Sequence, residues 1–404
     1  MNVPFYRASI GDDEINEVVG ALRSGWLTTG RLTAQFETEF AASVGARFAV
    51  AVNSCTAALH LAVEALGLKA GQAVLVPTMT FAATAEVVRY CGAVPVLVDC
   101  DPVTLNMDLA DAARKIDDLR AGRLPAEISP SLQVVGIMPV HIGGVMMDVG
   151  AVHRFAAEHR LWVVEDAAHA FPAAYRADEH SPWIRCGEAT ADVTCFSFYA
   201  NKTLTTGEGG MAVTDDGGIA ERMRLMSLHG LSRNAWERYR GGDWDYRIVA
   251  PGFKYNLTDI ASAIGIHQLR RSPDMFERRQ AVAARYRREM ADIGEIEIPP
   301  LIADRRSSTH LFPIVVREER LTVDRNALKI ALAEAGVGTS VHWRPLHLHD
   351  YYRDTFGWTS ELLPIADAAW RRRLSLPMFP GMTDEEVTHV IEGLRSVCRR
   401  LGRE

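Results

Sequence analysis

The stretch VTCFSFYANKTLTTGEGGMAVTD (193–215) sets two short apolar runs, VTCFSFY (193–199) and GMAVTD (210–215), on either side of a lysine and a Gly-rich turn. Both runs are nearly continuous in apolar and β-branched residues, the pattern of strands covered on both faces. Five runs of the same kind precede them: FAVAV (48–52), AVLVP (73–77), VPVLVD (94–99), QVVGIMPV (133–140) and LWVVED (161–166). Between these, TAALHLAVEAL (56–66) and GAVHRFAAEHR (150–160) repeat apolar residues at spacings of three and four, as crossover helices do. Alternation of this kind from Phe48 to Asp215 predicts an α/β fold of β-α units on a mostly parallel sheet.

Residues 228–256 (LHGLSRNAWERYRGGDWDYRIVAPGFKYN) are rich in Gly, Arg and aromatics and have no period, which reads as a long functional loop. A helical region follows through Ile293, including FERRQAVAARYRREMADIG, before Pro299-Pro300 punctuates the chain. The remainder reads as strand (THLFPIVV, 309–316), helix (RNALKIALAEAG, 325–336), strand (TSVHW, 339–343) and a last helix opening on the capping-box spelling TDEE (383–386). At 404 residues the chain exceeds what one hydrophobic core ordinarily serves. We therefore expect a large domain over residues 1–295 and a small C-terminal α/β domain over 296–404.

Composition narrows the function. With 48% apolar and 24% charged residues the chain is an ordinary globular protein. A net charge of −7, without any long Lys/Arg block, speaks against nucleic acid as a partner. The start MNVPFYRASIGDDE lacks the order of a signal peptide, and no apolar run reaches the roughly 18 residues of a membrane span. The expectation is a cytoplasmic protein. Its six cysteines are scattered, without a C-x-x-C pair, which reads as reduced thiols and no metal site.

In SFYANKTLTTGEGG (197–210), Lys202 lies just beyond a buried strand, where ligands gather in sheet-based sites. A lysine amine shielded from water there has a lowered pKa and can form a Schiff base with an aldehyde; the bland alternative is a solvated loop lysine. Asp166 ends LWVVED at the corresponding edge, as a carboxylate able to hold a pyridine nitrogen protonated or as a helix N-cap. At NSCTAALHLA (53–62) a strand ends and a helix begins, offering free N–H groups to a phosphate dianion, with Thr56 and Ser197 as further donors. Ser and Thr are also ordinary caps. His342, His347 and His349, in VHWRPLHLHD, lack a matching acidic or thiol partner for a metal.

The segments SCTAALHLA, EDAAHA, SFYANKTLTTGEGG and GFKYNLTDIASAIGIHQL, in this order, resemble the DegT/DnrJ/EryC1/StrS family of sugar aminotransferases. The likeness extends to SGWLTTG and FETEFA within 24–41, MPVHIGG (138–144), VHWRPLHLHDYY (341–352) and LSLPMFPGMTDEEV (374–387). It implies the type I fold of enzymes dependent on pyridoxal 5′-phosphate (PLP), with a seven-stranded sheet. It makes Lys202 the Schiff-base lysine and acid/base, Asp166 the partner of the pyridine nitrogen, and His169 a neighbour of the ring or its 3-oxygen. Phe81 would stack on the ring; Cys55, Thr56 and Ser197 would hold the phosphate, and Asn256 would reach the phosphate of the partner subunit in a homodimer with shared sites. Thr29, in WLTTG, and His342 are the implied substrate contacts. Two departures stand out: Cys55 replaces the glycine of the commoner S-G-T, and YRADEHSPWIRCGEATAD (175–192) is longer than usual, so substrate shape is expected to be read there.

The implied reaction moves an amino group from glutamate to a keto-sugar nucleotide. EDAAHA, with His169, resembles members acting on a UDP-linked 4-keto-6-deoxy-hexose or 4-keto-pentose. NKT before LTTGEGG also resembles GDP-perosamine synthases, so GDP- and dTDP-linked sugars, 3-keto sugars and an inosose stay open. A dehydratase relative carries histidine in place of Lys202, and a regulatory relative without turnover has no need of the whole set. A nicotinamide enzyme lacks support, since no G-x-G-x-x-G follows the first strand.

Overall fold

In the computed structural model, which describes residues 1–232 and 246–403, all seven runs are strands. They are β1 (Phe48–Val52), β2 (Gln72–Pro77), β3 (Val94–Val98), β4 (Gln133–Ile137), β5 (Trp162–Asp166), β6 (Val193–Ser197) and β7 (Gly210–Thr214). They form one sheet in the order β3-β2-β4-β5-β6-β7-β1. Neighbours from β3 to β6 pair in parallel, whereas β7 runs antiparallel to both β6 and β1. The reversal follows from the connection: the segment between β6 and β7 holds no helix, and a parallel crossover needs one. Lys202 rides on that reversal. It therefore emerges at the edge where β1, β5 and β6 end.

Helices α1 (Asp12–Ser24), α2 (Arg31–Val44), α3 (Cys55–Ala65), α4 (Ala83–Tyr90), α5 (Leu109–Arg120), α6 (Val149–His159) and α7 (Gly217–Ser227) surround the sheet. One buried cluster packs α3 to α7 against the sheet and takes in consecutive residues of β2 and β3, such as Val96, Leu97 and Val98, so it covers both faces there; another, built on Phe36, Phe40, Phe171, Phe196 and Phe198, lies under α1 and α2. Apolar side chains thus lie on both faces of β6, which is why its sequence does not alternate.

The long α8 (Asp259–Glu289), capped by the Thr258 hydroxyl, leads to a three-stranded antiparallel sheet of β8 (Ile296–Glu297), β9 (Phe312–Val316) and β10 (Arg373–Leu376). With α9 (Arg325–Glu334), α10 (Asp350–Phe356), α11 (Pro364–Arg372) and α12 (Asp384–Leu401), whose capping box forms as spelled, it completes the chain. A separate core gathers β9, β10, α9 and α12 with Val3 and the end of α8. We propose a division near residue 295 on that basis.

The expected strand TSVHW is not one. It makes a single bridge, Ser340 to Ser375, while β10 occupies the place beside β9. Its residues His342 and Trp343 leave the sheet and face the active-site cavity instead. Residues 233–245 of the expected long loop lie outside the described residues, and its flanks close through Leu231 to Ile248 and Leu228 to Lys254. Among the described residues no helix is long and apolar enough to cross a membrane.

Candidate active site

A cavity of about 450 Å³ opens where the parallel strands end. Of the residues singled out from sequence, Cys55, Thr56, Phe81, Asp166, His169, Ser197, Lys202 and His342 line it. The size is that of a cofactor or small-ligand pocket.

Lys202 is the cation at its floor. Burial lowers its amine to about 8, against the opposing pull of Asp166 and Cys55. The neutral, nucleophilic amine is then far more accessible near neutrality than that of an ordinary lysine. Asp166 is 5% exposed. Its Oδ2 accepts the Thr84 hydroxyl at 2.7 Å and its Oδ1 the Ala168 N–H at 3.1 Å. Burial pushes its carboxyl up, with Thr84, Ala168 and Lys202 pulling the other way. A carboxylate held in this state gains from a cation brought within hydrogen-bond reach. Asp166 does not cap a helix, so the cap reading falls away. Its neighbour Glu165 is buried as a support, accepting the hydroxyls of Thr190 and Thr194 and lying 3.2 Å from His141 Nε2.

His169 accepts the Gly143 N–H at Nδ1 (3.2 Å), so a neutral ring carries its proton on Nε2. Burial, followed by Lys202, holds it well below the usual histidine range and hence neutral. Its ring stacks on Trp343 with centroids 4.9 Å apart and lies 4.2 Å from His310. His342 is lowered to about 4, chiefly by burial, and its Nδ1 meets the Ser375 hydroxyl at 3.0 Å. His347 and His349 turn elsewhere, to Thr78 and to the Arg344 carbonyl.

The start of α3 is an anion cup. The Ser54 hydroxyl caps Ala57 N–H, while the N–H groups of Cys55 and Thr56 have no acceptor among the described residues. The Cys55 thiol, pushed well up by burial, points to the Cys195 carbonyl at 3.7 Å. That rotation leaves room for the departure from S-G-T. Gly210 lets β7 approach: a Cβ there would sit 2.5 Å from the Ser54 carbonyl carbon and 2.6 Å from Cys55 N.

Asn256 and Thr29 stand off this cavity and on each other. The Asn256 amide donates to Thr29 Oγ1 at 2.8 Å, and Thr29 donates in turn to the Leu257 carbonyl. The long 175–192 segment forms a small ribbon with residues 305–306. Its Trp183 borders a second cavity of about 400 Å³ that meets the first at His342. The sequence reading missed Thr84, His310 and Trp343. Only a lone His ahead of a strand and a Thr in TMTFAAT marked the first two.

The DegT/DnrJ/EryC1/StrS aminotransferase family model matches residues 8–395. The spore coat polysaccharide biosynthesis protein SpsC of Bacillus subtilis is 42% identical over 399 residues, covering 98% of this chain and 97% of its own. The PLP form of Spr1654 from Streptococcus pneumoniae, a candidate sugar aminotransferase, superposes with a TM-score of 0.86 at 31% identity, covering 99% of both chains. DesV of S. venezuelae, in complex with a ketimine intermediate, gives 0.85 at 29% identity, again with 99% of both covered. The residues fit PLP on their own terms. The shielded amine suits an aldehyde, the buried carboxylate a protonated ring nitrogen, and the two free N–H groups a phosphate. Family match, fold and donor set agree: the chain belongs to the DegT/DnrJ/EryC1/StrS aminotransferase family and is a PLP-dependent enzyme.

Proposed function

We propose that the enzyme moves an amino group from glutamate to a keto sugar carried on a nucleotide, with a UDP-linked 4-keto-6-deoxy-hexose or 4-keto-pentose as acceptor. The observation that carries this reading is the Lys202 amine, lowered to about 8 and placed at the same sheet edge as the buried Asp166 carboxylate. PLP, when bound, supplies the electron sink that makes a proton on the substrate carbon removable.

The chain supplies the rest. Lys202 Nζ would hold the cofactor covalently and, as a free amine, would carry the proton to and from the substrate carbon. Asp166 keeps the ring nitrogen protonated, with Thr84 and the Ala168 N–H fixing the carboxylate plane. His169 donates from Nε2. The Cys55 and Thr56 N–H groups, with Ser197, hold the phosphate, and Phe81 covers the ring. Phe81 is 62% exposed and Tyr199 44% exposed at the rim, which suits a cavity closed by a second subunit. Asn256, off the cavity of its own chain, then serves the phosphate bound by the other subunit of a homodimer. Thr29 orients that amide and is itself the substrate contact there.

The acceptor assignment rests on His169 in EDAAHA; polysaccharide biosynthesis in the name of SpsC accords with a sugar acceptor. The test is a panel of UDP-, GDP- and dTDP-linked 4-keto and 3-keto sugars assayed with glutamate. Amination of a UDP-linked 4-keto sugar at the highest kcat/KM supports the proposal. Preference for another nucleotide or position corrects it, and amination of none overturns it.

A further inference from the structure

His310 lines the cavity at 4% exposure, and its Nδ1 is buried without a hydrogen-bond partner among the described residues. Buried polar atoms left unpaired are costly, so a group from a ligand belongs there. Its presentation is built rather than incidental. Thr309, just before it, is β-branched yet sits at φ +52°, a region such residues avoid. The Thr309 carbonyl accepts from Arg279 at 3.3 Å, and its hydroxyl accepts from Gln280 at 2.7 Å. The Ser308 hydroxyl ties the same turn to the His169 carbonyl. Backbone strain of this kind gathers at ligand sites.

The surroundings select the charge of that ligand. Among the described residues Arg279, 2% exposed, donates only to the carbonyls of Thr309 and Met378 and leaves its Nε unpartnered. No acidic side chain lies within ion-pair reach of it among the described residues. The charged or titratable neighbours of His310 are Lys202, Arg279, His342 and His169. Burial first, and the first three of these groups second, keep the imidazole neutral, able to donate one N–H. Among the described residues no arginine, and no lysine besides Lys202, lines this cavity. An amino-acid donor nevertheless has to place its carboxylates in it.

We infer that His310, held by Thr309 and Arg279, receives a carboxylate of the amino-acid donor beside Lys202. The inference rests on the transamination reading and adds the residue that recognises the donor. The keto-sugar ring carries no carboxylate, so the effect is confined to the donor half of the reaction.

Glutarate, which lacks the amine, is titrated calorimetrically into cofactor-free protein. His310→Phe is expected to bind it at least about tenfold more weakly, roughly 1.4 kcal/mol, and His310→Gln, which keeps a donor, within about threefold of the parent. In the loaded enzyme His310→Phe raises the KM for glutamate by at least about tenfold and leaves that for the keto sugar within about threefold. Equal glutarate affinity in parent and His310→Phe, or an equal rise in both KM values, overturns the inference, as does a parent that binds no glutarate. If His310→Phe fails to fold, crystals of the parent soaked in glutarate decide. A carboxylate in hydrogen-bond contact with His310 supports the inference, and one seated elsewhere refutes it. Failure of the underlying reading looks different: the parent itself then aminates no keto sugar.

Discussion

Thr84→Val removes the hydroxyl that donates to Asp166 Oδ2 at 2.7 Å while keeping the shape of the side chain. A hydrogen bond to a charged group is worth about 1.5–3 kcal/mol, and here it favours the ionised carboxylate in a site whose burial disfavours it. Losing it weakens whatever depends on that charge by about ten- to a hundredfold. PLP retention and kcat/KM should both fall within that range. The direction with pH follows from the sign. Asp166 must be ionised, its carboxyl is already raised by burial, and the variant raises it further, so the acid limb of kcat/KM moves to higher pH. Thr84→Ser, which restores the hydroxyl, should return both quantities to near the parent. The assay is cofactor content after gel filtration together with a pH profile of each variant. A Thr84→Val enzyme that keeps its cofactor and superposes on the parent profile would refute the assignment of Asp166 as the charge held by Thr84.

Lys202→Ala should fold and lose turnover by at least about a hundredfold, because both the attachment point and the proton carrier go; circular dichroism and steady-state rates check this. Since the Lys202 amine lies at about 8, the rate at which cofactor-free enzyme recaptures PLP should rise with pH and level off above that value, read by absorbance. Gly210→Ala places a Cβ 2.5 Å from the Ser54 carbonyl carbon. It should cost about 1–3 kcal/mol of stability and loosen phosphate binding, and unchanged denaturation with full PLP content would contradict the close-approach argument. Mixing Lys202→Ala with Asn256→Ala chains should restore activity, because a shared site leaves one site of each heterodimer intact; no recovery after subunit exchange counts against Asn256 acting across the dimer.

The sheet was legible because its strands are buried on both faces and so read as unbroken apolar runs, from Phe48–Val52 to Gly210–Thr214. Their spatial order was not, since nothing local states that β1 pairs with β7, more than 150 residues away. TSVHW was misread for a related reason: it does meet the free edge of β10 through Ser340 and Ser375, but His342 and Trp343 then turn to the cavity, a choice made by tertiary packing. Lys202 and Asp166 were readable as strand-end charges. Thr84 was not, because it acts through one bond to Asp166, 82 positions away, and neither was His310, whose place beside His169 in the cavity is set by packing alone. The pairing of Asn256 with Thr29, 227 positions apart, is equally invisible along the chain.

The central claim is that Lys202 is the residue that binds PLP. Borohydride reduction of the purified holoenzyme fixes a lysine-bound pyridoxal irreversibly, and peptide mass spectrometry then locates it. The account predicts the label on the peptide containing Asn201-Lys202-Thr203, with Lys69, Lys115, Lys254 and Lys329 unmodified. A label on any of those four, or a loaded protein from which none is recovered, would contradict it.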